Sequence, residues 1–380
     1  MKEFIRLLEL RKEPKSILFL GPRQTGKTYL LKKYFPDSPF YNLLHADVFF
    51  KLSQKPQLIR EELLAKASAL KQPVIIDEIQ KIPILLDEVQ SLIEDHKIKF
   101  ILTGSSARKL KRSGTNLLGG RARIKYLHPL VSAEIPDFDL LRALNIGSIP
   151  SIYNSEEPEL DLETYVGVYL QEEIKAEGLT RKIENFSRFL QVASLNNTEI
   201  INFSNIGNDC AVPHRTVFEY FSILEDTLVG KLLEPFSKTK KRKAVTTSKF
   251  YLFDVGVRNF LAGRKNIKPK TELFGKSLEH FVFTELRAYL SYRHDTRPLS
   301  YWRSQSGYEV DFIIGDDIGI EVKGSDAVSD RHLTGLKALS EEIKLKKKII
   351  VSTDAKPRKI GDIMVLPVLD FLKELWGDQL

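Results

Sequence analysis

The stretch Gly21–Thr28, GPRQTGKT, fits G-x-x-x-x-G-K-[ST] in full, and a loop of this kind works only between a buried strand and a helix. Both neighbours are legible. Ser16-Ile17-Leu18-Phe19-Leu20 is a short, almost wholly apolar run that predicts a buried strand. Tyr29–Phe35 carries apolar residues at helical spacing and meets Pro36, which predicts a helix ending there. The two glycines let backbone N–H groups turn toward phosphates, and the helix N-terminus adds positive potential. Gly21, Pro22, Arg23, Gln24, Thr25, Gly26, Lys27 and Thr28 are therefore the expected nucleotide-binding segment. Lys27 is the expected partner of the β- and γ-phosphates, and the Thr28 hydroxyl the expected Mg²⁺ ligand. This much predicts an α/β fold around a nucleoside triphosphate.

Two further strands support that fold. Pro73-Val74-Ile75-Ile76 runs into Asp77 and Glu78, a Walker B pattern. Asp77 is placed to hold Mg²⁺ and Glu78 to orient or deprotonate the attacking water. Lys99–Ser106 reads as a third parallel strand whose polar end, Thr103 or Ser105, lies where the γ-phosphate would be sensed. A plain Thr/Gly/Ser turn leaving a strand accounts for those residues equally well. Strands alternating with helices imply a parallel sheet covered on both faces.

These motifs in this order resemble the AAA-type ATPases, and the segment LLGGRARIKYLHPL, 117–130, sharpens the likeness. The resemblance implies ATP and Mg²⁺ as cofactors. It also implies an arginine finger acting across a subunit interface, matched by Arg121 with Arg123 as the alternative; a surface arginine at a helix end is the plainer reading. An arginine acting in trans implies a homo-oligomer.

Composition narrows the classes. The 380 residues, 42% hydrophobic and 28% charged, suit a globular protein of two or three domains. The single cysteine, Cys210, excludes an internal disulfide framework or a cysteine-rich zinc site. The charged N-terminus, MKEFIRLLELRKEPK, does not read as a secretory signal, and no apolar run approaches the roughly 18–20 residues of a membrane span. The expectation is a cytoplasmic protein without a membrane partner.

The net charge of +8 is concentrated: residues 231–270 hold twelve Lys or Arg against Glu234 and Asp254, a local excess of ten. Just before and within that stretch, the pattern predicts a helix through Phe186, Phe189, Leu190 and Ala193, and a second starting at Phe203. A turn at Asn208–Ala211 and a third helix with Val217, Tyr220, Phe221 and Leu224 on one face complete a helix-turn-helix. Two strands, Leu228–Phe236 and Lys249–Phe253, joined by KTKKRK, then look like a wing carrying Lys238, Lys240, Lys241, Arg242 and Lys243. Basic residues of this kind suit phosphate contacts, and His214, Arg215 and Thr216 are placed for a DNA groove. A solvated charge run, or a wing that contacts protein, is the alternative.

Near the C-terminus, Tyr308–Ile314 and Ile318–Lys323 read as a hairpin around Gly315-Asp316-Asp317. With Asp316 at the apex, Asp311 faces Glu321 and Glu309 faces Lys323. Period-two alternation puts these four on one face, and Val310, Phe312, Ile320 and Val322 on the other. Facing carboxylates repel unless neutralised, which suits a divalent cation, with Lys323 positioned to stabilise negative charge. Asp followed by Glu-x-Lys resembles the PD-(D/E)xK nuclease superfamily. That resemblance implies a further acid from a preceding helix, a place Glu279 fits, and metal ligation by Glu279, Asp311 and Glu321. A salt-bridged hairpin, or a nuclease fold without catalysis, stays open.

The whole chain resembles prokaryotic AAA-type ATPases fused to a nuclease-like domain. The expected fold class is α/β multidomain: an AAA-type core (1–131), a helical lid (132–185), a winged helix-turn-helix (186–260) and a PD-(D/E)xK nuclease-like domain (261–380). The expected function is an ATPase that binds DNA and cleaves it with Mg²⁺; the alternative is a nucleotide-dependent switch with a non-catalytic module.

Overall fold

The computed structural model describes residues 3–106, 117–170 and 183–380. Part of the expected lid, 171–182, lies outside the described residues. The chain forms two compact units, one of residues 7–128 and 226–228, the other of 1–6, 129–225 and 229–380.

The first unit is built on five parallel strands: β1 (Ser16–Leu20), β2 (Phe40–Asn42), β3 (Val74–Asp77), β4 (Phe100–Gly104) and β5 (Ala122–Tyr126), in the order β2-β3-β4-β1-β5. Strands β1, β3 and β4 are buried throughout, which is why they read as continuous apolar runs. Leu18, Leu20, Val74, Ile76, Phe100 and Leu102 pack with Leu52, Ile59, Leu63, Leu85, Val89 and Leu92. Those residues come from α2 (Ala46–Gln54), α3 (Leu58–Leu64) and α4 (Leu85–His96); α1 (Lys27–Tyr34) follows the P-loop.

The second unit opens with short helices α5 (Leu140–Ile146), α6 (Pro150–Tyr153) and α7 (Pro158–Thr164). Helices α8 (Ile183–Leu195), α9 (Phe203–Cys210) and α10 (His214–Asp226) follow, then an antiparallel pair, β6 (Gly230–Leu233) and β7 (Lys249–Leu252). The break between α9 and α10 falls at Ala211–Pro213, so Asn208–Cys210 belong to a helix rather than to the expected turn. Asn202 caps α9 by accepting from Asn205 N, and Ala211 ends it in the left-handed region. Phe186, Phe189, Tyr220, Phe221 and Phe250 form one aromatic cluster, with centroids of 4.9 Å for Phe189–Phe221 and 4.8 Å for Phe221–Phe250. Pairs of this kind add about 0.5–1.5 kcal/mol each beyond area burial, so β7 is firmly seated on α10.

After α11 (Val255–Leu261) and the long α12 (Glu272–Tyr292) comes a six-stranded mixed sheet: β8 (Leu299–Arg303), β9 (Glu309–Ile314), β10 (Ile318–Val322), β11 (Lys347–Ser352), β12 (Arg358–Ile360) and β13 (Ile363–Pro367), ordered β12-β13-β11-β10-β9-β8. Leu278, Phe281 and Leu286 of α12 and Phe371 and Leu375 of α14 (Val368–Trp376) pack with Phe312, Ile320, Val322 and Val351. Leu336 and Leu339 of α13 (Thr334–Ser340) join Val310, Ile313, Ile350 and Trp302 in a separate cluster. No helix among the described residues is long and apolar enough to cross a membrane.

The β9–β10 hairpin has the expected register: Ile314 faces Ile318 and Phe312 faces Ile320. The expected alternation fails at one point. Opposite β8, the register shifts between Ser300 and Trp302, so β9 carries one extra residue there. Val310 consequently packs with Ile313, away from Phe312, Ile320 and Val322.

Candidate functional site

The P-loop leaves β1 at Gly21, where a Cβ would lie 2.4 Å from the Leu127 carbonyl oxygen. Gly26 takes φ 92°, a left-handed conformation that glycine alone adopts freely. The buried Lys27 ammonium donates to the Gly21 and Pro22 carbonyls at 2.7 and 2.9 Å. These are neutral acceptors, which an anionic phosphate outcompetes for an ammonium.

Behind the loop, the start of α1 and the ends of β3 and β4 converge on one carboxylate. The Thr28 hydroxyl donates to Asp77 Oδ2 at 2.9 Å, and the Thr103 hydroxyl donates to Asp77 Oδ1. Thr103 Oγ1 also accepts from Glu78 N at 3.1 Å. The strand order explains the meeting: β4 lies between β1 and β3, so its polar end stands beside both the P-loop and Asp77. Glu78 sits at φ 63°, ψ 46°, a conformation that costs a non-glycine residue of order 1 kcal/mol or more and is typical of functional positions.

Gln80, which the sequence reading passed over, donates through Nε2 to Glu78 Oε2 at 2.5 Å and to Ser105 Oγ at 3.3 Å. The available signal was an amide two residues beyond the Walker B acid. Of the two γ-phosphate candidates, Thr103 therefore touches Asp77, whereas Ser105 touches Gln80. Arg121 lies just before β5, its Nε 2.5 Å from Glu94 Oε1 and Nη1 donating to Gly119 O at 3.3 Å. Arg123 pairs with Glu13 at 2.7 Å, and Glu13 also holds Lys125 at 3.0 Å.

At the start of α10, His214 and Arg215 are exposed and Thr216 is half-buried; Arg215 lies 3.8 Å from Glu219. The basic loop between β6 and β7 does not project as a free wing. It is held along β8 and α13: Phe236 N donates to Tyr301 O, Val245 N to Arg303 O, and Gln305 N to Lys243 O. Lys238 pairs with Asp316 at 2.6 Å, and Arg242 pairs with Glu341 and Glu342 at 2.6 and 3.2 Å. The Lys240 and Lys241 backbone N–H groups both donate to Glu342 Oε2 at 2.8 Å. The physical reason is the pair of acids just beyond α13, which the sequence reading did not match to this loop. The Lys240, Lys241 and Lys243 side chains stay exposed.

The C-terminal acids do come together, around a residue that sequence reasoning counted only as part of a charge run. Lys249, first residue of β7, is buried, with Nζ 3.2 Å from Glu279 Oε1, 2.5 Å from Glu309 Oε1 and 3.8 Å from Asp311 Oδ1. The Tyr251 hydroxyl donates to the same Glu279 oxygen at 2.7 Å, and Arg303 lies 3.3 Å from Glu309 Oε2. Asp311 Oδ2 accepts from Val322 N at 2.8 Å. Lys323 pairs with Glu321 Oε1 at 2.6 Å, whereas the expected opposition to Glu309 is taken up by Lys249 and Arg303. Among the described residues of this cluster, only Glu321 Oε2 is buried without a hydrogen-bond partner.

Burial alone would depress the Lys249 ammonium; Glu279, Tyr251, Asp311 and Glu309 outweigh it and hold the pKa well above the ordinary lysine value. Burial pushes Glu321 up to about 8, with Asp311 adding and Lys323 opposing. Burial likewise pushes Glu279 up to about 7, against the pull of Lys249.

Mg²⁺ demands several oxygens at about 2.0–2.1 Å. Here an ammonium already occupies the ground between three carboxylates, and no group of three or more His, Cys, Asp or Glu among the described residues is arranged to hold a metal. The residues present do not fit the cation that the nuclease resemblance implied. The signal for Lys249 was a lone charge opening the apolar strand Lys249-Phe250-Tyr251-Leu252-Phe253.

Comparison with known proteins agrees with the first unit's geometry. Residues 13–135 match the model of an AAA domain, 137–268 a domain of unknown function (DUF8612), and 274–371 another domain of unknown function (DUF4143). Relatives include an uncharacterised protein of Mycobacterium tuberculosis, 24% identical over 320 residues, covering 81% of this chain and 70% of that protein. An uncharacterised Haemophilus influenzae protein is 24% identical over 302 residues, covering 70% and 72%. Among solved structures, the Aeropyrum pernix ORC1 protein in complex with DNA overlaps 66% of this chain and 87% of its own at 15% identity and a TM-score of 0.26. A Pyrococcus horikoshii signal-transduction ATPase with a tetratricopeptide repeat sensor overlaps 73% and 45% at 16% identity and a TM-score of 0.23. Both overlaps are too loose to bear on function. Residues 13–135 are an AAA-type P-loop domain, and the chain continues through two domains whose family descriptions assign no function.

Proposed function

We propose that this chain binds and hydrolyses ATP and uses its nucleotide state to switch a non-catalytic binding module. The observation that carries the ATPase half is the convergence of Thr28, Thr103 and the Glu78 backbone around Asp77. The backbone of Gly21–Thr28 cradles the phosphates, and Lys27 exchanges its loop carbonyls for phosphate oxygens. Thr28 and Asp77 would hold Mg²⁺, which would supply positive charge against the β- and γ-phosphates. Glu78, positioned by Gln80, accepts the proton of the attacking water. The test is phosphate release from the full-length chain with ATP and Mg²⁺. Turnover that falls in Glu78→Gln while nucleotide binding persists supports the reading; no turnover, or turnover indifferent to that change, sinks it.

Arg121, partly exposed beside Glu94, is the arginine we assign to a neighbouring copy's nucleotide, which makes the working form a homo-oligomer. Specific activity that rises with protein concentration in wild type and not in Arg121→Ala is the expected result.

DNA is the partner we assign to the helix–hairpin region, because His214 and Arg215 are exposed at the start of α10 and Lys240, Lys241 and Lys243 have no ion pair among the described residues. Phosphodiester cleavage by Glu279, Asp311, Glu321 and Lys323 is the less supported reading, since Lys249 engages carboxylates that a catalytic metal needs.

A further inference from the structure

We infer that Lys249 is a built-in counter-ion standing where a divalent cation would otherwise bind, and that removing its charge lets Glu279, Asp311 and Glu321, which are not arranged to hold a metal while the ammonium stands among them, close around one. The inference deepens the reading of the C-terminal sheet as a non-catalytic module and rests on it.

The argument is one of charge and place. Four acids, Glu279, Glu309, Asp311 and Glu321, gather on three separate elements, α12, β9 and β10. Acids so placed repel, and the fold needs cations among them. Arg303 and Lys323 each reach one acid, at 3.3 and 2.6 Å. Among the described residues, Lys249 alone reaches three, at 3.2, 2.5 and 3.8 Å, from a strand outside the sheet.

Its position is set by backbone pairing on both sides. Leu233 of β6 faces Lys249, and Ile200 bridges to it. The neighbouring Phe250 is locked against Phe221, and the Lys249 ammonium lies over the Tyr301 ring, 5.4 Å from the centroid. The ammonium is thus delivered by the helix–hairpin elements into the acids of the following sheet. One oxygen, Glu321 Oε2, is buried without a hydrogen-bond partner among the described residues. Withdrawing the lysine charge leaves Glu279 and Asp311 without their shared cation, with that oxygen beside Asp311's strand.

The test is Mn²⁺ binding to the nucleotide-free full chain, followed by the electron paramagnetic resonance of free Mn²⁺. Wild type and Glu321→Gln should bind alike. Lys249→Ala, and Lys249→Met to retain packing, should each gain about one Mn²⁺ per chain, lost again when Glu321→Gln is added. A parallel melting series should show both lysine variants stabilised by Mn²⁺ and wild type indifferent to it at this site.

A wild-type Mn²⁺ site that Glu321→Gln removes overturns the inference; DNA cleavage dependent on that site overturns the non-catalytic reading as well. Folded lysine variants that gain no site overturn the inference alone. So does failure of both variants to fold even with Mn²⁺, because a cation in the same place should restore the balance of charge.

Discussion

Among the described residues, strand ends gather carboxylates at the P-loop and at the C-terminal sheet, and the two places are finished differently. At the P-loop, Asp77 is satisfied by two hydroxyls, and Lys27 rests on carbonyls of its own loop. Hydroxyls and carbonyls are neutral partners that yield readily to phosphate and metal. At the C-terminal sheet, Glu279, Glu309 and Asp311 are satisfied by a buried ammonium tied to the chain. A tethered charge yields only if its strand moves or its charge is removed. The first arrangement is built to exchange ligands, and the second is built closed.

The largest effect that tests this contrast is on turnover. Lys27→Ala or Glu78→Gln should lower ATP hydrolysis about a hundredfold or more, read as steady-state phosphate release, with little change in the melting of the second unit. The matching cut at the closed site should act on stability instead. Lys249→Ala should cost about 3–5 kcal/mol in urea unfolding, the usual penalty for orphaning one side of a buried charge cluster. Adding Glu279→Gln should return part of it. A Lys249→Ala protein as stable as wild type would mean the cluster is not held by that ammonium.

Glu285 offers a smaller, pH-dependent comparison. Its carboxyl is buried and accepts from Ser132 N, Ser132 Oγ and Trp376 Nε1 at 2.7, 3.0 and 2.6 Å, with no cation paired to it among the described residues. Burial pushes it up to about 7 from 4.5. A folded-state pKa raised this way contributes stability fully present below about 4.5 and lost as pH rises through about 7. Between pH 4.5 and 8, wild type should therefore lose up to about 3 kcal/mol relative to Glu285→Gln in urea unfolding. Parallel pH profiles for the two proteins would contradict it.

The smallest effect concerns the hairpin loop. Because the loop is fastened along β8 and α13, changing Lys240, Lys241 and Lys243 to Ala should leave stability nearly unchanged. If DNA lies there, binding followed by fluorescence anisotropy should weaken, and the salt dependence should fall by about three phosphate contacts.

What was legible in the chain follows from how local each signal is. The P-loop, its strand and its helix are contiguous, and the residues that bind one another lie within a single loop. The hairpin register was legible because two strands and a short turn carry their own alternation. Val310 was misplaced because a bulge depends on the neighbouring strand β8, which alternation within β9 cannot reveal. The basic loop reads as a wing, its attachment hidden, because its partners Glu341 and Glu342 lie about a hundred residues onward. Lys249 stands out as a lone charge opening a strand, but its role is hidden for the same reason: it has no visible partner until the fold brings Glu279, Glu309 and Asp311 around it. Gln80 was close in sequence to Glu78, yet only the left-handed turn at Glu78 shows that their side chains meet.

The contrast between an exchangeable site and a closed one is tested most directly by counting divalent cations. With a non-hydrolysable ATP analogue and Mn²⁺, the wild-type chain should bind one Mn²⁺, abolished by Asp77→Asn and untouched by Glu321→Gln. Two bound Mn²⁺ ions, one of them abolished by Glu321→Gln, would contradict the account.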